Sequence, residues 1–154
     1  MTNSKIIKTN WYPDKKLLVT QVSGDIEIPD IKKWEKSLNE ALNKIDDYES
    51  FKMFVNMYDF KAIDIDTHKR FRGIIPLTLA NYGWKVGYLN LFEEEAKTIT
   101  YKNTRGIKCI GVAHSYHDEA KMDLYENRFS CDKEHFFKDP SEAIDWIESL
   151  KLEE

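Results

Sequence analysis

Imidazole, hydroxyl and carboxylate groups crowd one short run, His114-Ser115-Tyr116-His117-Asp118, with Cys109 just upstream and His68 elsewhere. Such groups hold zinc, and a strand end is a proper place for a metal-dependent centre. On a strand, however, residues at the spacing of His114 and His117 point to opposite faces. They converge only if the chain turns at Ser115-Tyr116. No Cys-x-x-Cys or His-Glu-x-x-His accompanies them. Read without a metal, His117 and Asp118 are the polar start of a helix, with Asp118 near its positive dipole end. Thr67 is a second candidate. At a helix N-terminus a phosphate on Thr67 would meet exposed N–H groups, with Lys69, Arg70 and Arg72 close by. Alternatively Thr67 is an ordinary first-turn residue. A serine-hydrolase elbow of the Gly-x-Ser-x-Gly type is absent, as is any Gly-rich phosphate loop.

The third candidate is apolar. Gly73 to Trp84 carries no charge and is punctuated by glycine and by Pro76. A broken apolar helix of this kind suits a mobile lid over a pocket, or a patch for a membrane surface or protein partner. Its ligand contacts would be Phe71, Ile74, Ile75, Leu79, Tyr82 and Trp84. The plainer alternative is a helix packed on a sheet. Lys69, Arg70 and Arg72 beside it suit an anionic membrane surface, or a solvated helix face.

These residues must be positioned by regular elements, and the pattern gives them. Ile6–Trp11 and Leu17–Val22 read as strands joined by a turn at Tyr12-Pro13-Asp14-Lys15-Lys16. Beyond Pro29-Asp30, Ile31, Trp34, Leu38, Ala41, Leu42 and Ile45 recur at helical spacing. Lys52–Tyr58 reads as a buried strand and Asp59–Asp66 as a connection. Asp66 would cap a helix from Thr67 to about Gly73, with a second helical turn begun near Pro76. Val86–Phe92 reads as a strand, and Glu93–Arg105 as a loop or short helix. Ile107–Ala113 reads as a central strand. A helix over His117–Arg128 would bury Ala120, Leu124 and Phe129. Glu134–Phe137 is a short strand. Asp139-Pro140-Ser141-Glu142 then opens a helix with apolar Ala143, Trp146, Ile147 and Leu150. The aromatics Trp34, Trp84, Trp146, Phe136 and Phe137 read as core.

The chain has 154 residues, 42% hydrophobic and 13% aromatic, enough for one core and one domain over residues 1–154. A net charge of −4 argues against a nucleic-acid partner. Two cysteines, Cys109 and Cys131, do not make a disulfide framework. The run Met1-Thr2-Asn3-Ser4-Lys5 lacks a leader's apolar core, and no stretch is long enough to span a bilayer. The expectation is a cytoplasmic domain of undetermined oligomeric state.

The order of elements resembles the SpoIIAA-like family, which shares the STAS and CRAL-TRIO-like architecture. The resemblance rests on Leu17–Gly24, on Phe54–Phe60, and on the terminal run from Phe136-Phe137-Lys138-Asp139-Pro140 to Ile147. It implies an α/β fold, a single mixed sheet of about five strands with helices packed against it. It also implies a mostly non-enzymatic class: regulatory switches phosphorylated at a Ser or Thr opening the second helix, or lipid binders with a mobile helix. The family pattern at the switch is Asp-Ser-Ser-Gly, where this chain has Asp66-Thr67-His68-Lys69. The expected function is a regulatory or binding module without catalysis or cofactor, contacting an apolar small molecule or lipid, a membrane surface, or a protein partner. The alternatives are a metal-dependent enzyme at His114 and His117, or a phospho-switch at Thr67.

Overall fold

The computed structural model describes residues 5–151. Residues 1–4, most of the run read for a leader, lie outside them, as do residues 152–154. The fold is α/β, built on a six-stranded mixed sheet. Strand β1 (Ile6–Tyr12) pairs antiparallel with β2 (Leu17–Ile26) across a 3-10 turn at Pro13–Lys15. Then come α1 (Ile28–Leu42), β3 (Ser50–Asn56), β4 (Phe60–Ala62), α2 (Ile65–Arg72), α3 (Ile74–Ala80) and α4 (Glu93–Thr98). The chain ends with β5 (Lys108–Ser115), α5 (Glu119–Phe129), β6 (Glu134–Phe137) and α6 (Pro140–Ser149). The strand order is β1-β2-β3-β5-β6, parallel from β2 onward, so β2, β3, β5 and β6 end at the same side of the sheet.

Alternation along the strands feeds two cores. Leu18 and Val22 of β2, Met53 and Val55 of β3, and Val112 of β5 pack with Trp34 and Leu38 of α1 and with Phe71, Ile75 and Leu79 of α2–α3. Leu17, Phe54 and Ala113 face the other way and meet Ala143 and Ile147 of α6. Lys52 is buried at the base of β3, and its ammonium donates to the carbonyls of Glu148 and Leu150 at the C-terminal end of α6. A cation there satisfies carbonyls that have no intrahelical partner.

Several boundaries differ from the sequence reading, each for a local reason. The sixth strand, β4, lies in the stretch read as a connection. It pairs with Gly24–Ile26, because β2 runs past Val22 while β3 stops at Asn56. The chain crosses that gap through Asp59, whose φ is +65°. The cap of α2 is Asp64, not Asp66: its carboxylate accepts the Thr67 N–H at 2.8 Å, so the helix starts at Ile65. Val86–Phe92 is not a strand. Val86 and Leu89 are buried one turn apart, and the stretch closes in a 3-10 turn at Leu89–Leu91. Helix α5 buries Met122, whereas Ala120 and Leu124 are exposed and Phe129 is half-buried. Cys109 and Cys131 are both free thiols. Among the described residues, no helix is long and apolar enough to cross a membrane.

Candidate functional site

A cavity of about 70 Å³ lies at the carboxyl ends of β3, β5 and β6, roofed by α2, α3 and α5. Parallel α/β sheets bind ligands at this side because the loops and helix ends gather there. The sheet contributes His114 and Tyr116 from β5 and its exit, Phe136 from β6, and Met57 and Phe60 around the β3–β4 turn. Phe71 and Ile75 come down from α2 and α3, and Met122 and Tyr125 from α5.

Its floor is a register effect. His114 on β5 sits opposite Phe136 on β6, and their rings stack with centroids 4.5 Å apart and planes 7° from parallel. Glu134 lies two residues before Phe136, hence on the same face. That brings Glu134 Oε2 to 2.7 Å from His114 Nε2, with both side chains about 2% exposed. The other carboxylate oxygen, Oε1, accepts the Gly87 N–H at 3.0 Å. A buried carboxylate is tolerated only when so paired.

Tyr88 is the hub of the aromatic wall. Its ring lies 5.6–6.1 Å from those of Tyr125, His114, Phe92 and Phe136. Burial, then the nearby Glu134 carboxylate, push its phenol far above the ordinary range, so Tyr88 stays a neutral hydroxyl. Deeper in, Phe71 is sandwiched between Phe60 at 4.0 Å and Trp34 at 5.3 Å, which joins the cavity wall to the main core.

The rim is basic. The Lys121 ammonium lies 5.4 Å from the Tyr116 centroid and 5.6 Å from that of Tyr125. The Arg72 guanidinium lies 5.0 Å from the Phe92 centroid and bonds Glu95 at 2.9 Å. His68 stands beside them at the cavity mouth, open to solvent on one side. Partial burial, then the charges of Lys121 and Arg72, hold the His68 imidazolium below its usual range. An open groove sharing His68, Arg72 and Tyr116 with the cavity carries Lys61 and Lys69 as well, together with Asp64, whose carboxylate caps α2.

The sequence candidates fall in different places. Phe71 and Ile75 line the cavity. Ile74, Leu79 and Tyr82 are buried in the main core and Trp84 packs against it, Tyr82 meeting Phe51 edge-on at 5.5 Å. Leu77 is the exposed large apolar residue of α3, so this helix offers no continuous apolar face outward. Thr67 is buried at 1% exposure, and phosphoryl transfer to its hydroxyl would require α2 to move. Arg70 pairs with Glu35 at 3.3 Å. His114 and His117 have separate partners. The His117 Nδ1 accepts the Asp59 N–H at 2.9 Å, and its ring meets Tyr58 and Tyr116. Among the described residues no three His, Cys, Asp or Glu side chains are grouped to hold a metal ion.

Glu134, Tyr88, Lys121 and Phe136 were missed as site residues. Period-two alternation in Glu134-His135-Phe136-Phe137 was a usable signal, because it places a carboxylate and a ring on one face of a short strand. Nothing local marks Tyr88. No family model matches the chain, and no curated protein or solved structure matches it.

Proposed function

We propose that this protein is a non-catalytic, cytoplasmic binding module of the SpoIIAA-like kind, which holds a small apolar molecule in the cavity beneath α2, α3 and α5. The observation that carries this reading is an aromatic-walled cavity at the carboxyl ends of the parallel strands. Pockets that bind small molecules combine apolar walls with a few fixed polar groups, here the His114–Glu134 pair. The antiparallel β1 beside sequentially ordered parallel strands supports the family assignment. The contact set changes from the broken helix alone to Phe71 and Ile75 together with Tyr88, Met122, Tyr125 and Phe136.

Toluene is a suitable neutral probe. Titrated into the protein, it should raise the melting temperature and shift the NMR signals of Met122 and Phe136 in a saturable way. Met122→Trp fills the space from α5, and Ile75→Phe fills it from α3. Either folded variant should lose the response. Absence of any saturable shift in the unaltered protein would sink the proposal.

A further inference from the structure

The cavity and its rim differ in character, and the difference names a ligand class. Inside, the surfaces are rings, thioethers and the Ile75 side chain. By volume there is room for roughly five waters, at ~10–15 Å³ for each. A solute that matches such a space is small and planar, about one ring in size. At the rim every charged side chain that lines the cavity is basic. The acids near them are engaged elsewhere. Glu95 is held by Arg72. Asp118 caps α5 by accepting the Lys121 backbone N–H at 3.0 Å. Glu119 and Asp123 lie toward Lys138, at 3.8 and 3.4 Å. Lys121 has no ion-pair partner among the described residues and rests over two aromatic rings instead. A half-buried ammonium over apolar rings, beside a second cation, is a ready partner for an anion.

We infer that the ligand is a one-ring organic anion, its ring against Tyr88 and Phe136 and its carboxylate at Lys121 and His68. The inference rests on the cavity being a binding site, as proposed above, and adds the charge and size of the occupant. The lowered His68 titration fits it: after partial burial, its causes are the charges of Lys121 and Arg72, and a bound anion would offset those charges.

Phenylacetate and phenylacetamide have nearly the same shape and differ by one charge, so together they test this. At low ionic strength phenylacetate should bind about tenfold more tightly than the amide, by calorimetry or NMR titration. Lys121→Gln should cut that preference to about threefold or less. The His68 ring should titrate at higher pH with phenylacetate present, and not with phenylacetamide. Equal affinities in the unaltered protein overturn the anion assignment while leaving an apolar site. Binding of neither compound also overturns the anion assignment, and the toluene titration then decides whether an apolar site stands. An undiminished preference in the Lys121 variant overturns the role given to Lys121.

Discussion

At the scale of single residues, several buried polar groups of this protein are tied down by neighbours from distant parts of the chain. Glu134 is one case. Asp30 at the start of α1 is another, and its consequence is visible in pH. Burial pushes the Asp30 carboxyl up, but the Lys5 ammonium at 2.7 Å and the Glu27 N–H at 2.9 Å outweigh it and hold the group below its ordinary value of 3.8. Near that value the unfolded chain therefore binds the proton first. The stabilisation is fully present above 3.8 and is lost as pH falls through the lower folded value. Asp30→Asn should cost about 1–2 kcal/mol at neutral pH, and the gap to the unaltered protein should close in acid. Urea unfolding across a pH series checks this, and a gap independent of pH would count against the assignment.

At the scale of elements, close approach decides more than propensity does. The chain after α3 passes so near the end of α5 that a Cβ on Gly87 would sit 2.3 Å from the Phe129 carbonyl oxygen and 3.3 Å from Glu134 Oε1. Gly87→Ala must push this stretch off α5, lengthening the hydrogen bond that the Gly87 N–H gives to Glu134. A loss of roughly 1–3 kcal/mol is expected, the range for overpacking. Thermal unfolding measures it, and an unchanged melting temperature would show that the backbone can shift freely there. The same contrast explains what could be read in the sequence. Helix α1 and the start of α6 were legible because local groups define them. Asp139 accepts the Ser141 N–H ahead of Pro140, and the buried stripe of α1 keeps helical spacing. Strand β4 was not legible, since three residues become a strand only because β2 outruns β3. Val86–Phe92 has strand-forming side chains, but Val86 and Leu89 are buried one turn apart and the stretch closes in a 3-10 turn. Of the site, Phe71 and Ile75 were within reach through helical periodicity. Glu134 and His114 were not, because the β5–β6 register makes them a pair.

At the scale of the whole molecule, the sheet is one wall shared by two cores, and its centre is the pairing of β3 with β5. These strands are hydrogen-bonded neighbours, yet β4, α2, α3 and α4 all lie between them in sequence. The consequence lies in time. The β1–β2 hairpin closes over a few residues and is expected within microseconds. Joining β3 to β5 must first close the loop that carries β4, α2, α3 and α4, at an entropic cost no local contact offsets, so it is expected to limit the folding rate. That loop supplies one side of the cavity wall, which meets the side from β5, α5 and β6 only once the loop is closed. A molecule that fits the cavity should therefore slow unfolding and leave the refolding rate unchanged, which stopped-flow traces with and without phenylacetate can test. Faster refolding in its presence would mean the cavity forms before the sheet closes. Otherwise the chain commits to its fold before it can meet its ligand, and occupancy governs how long the folded state lasts.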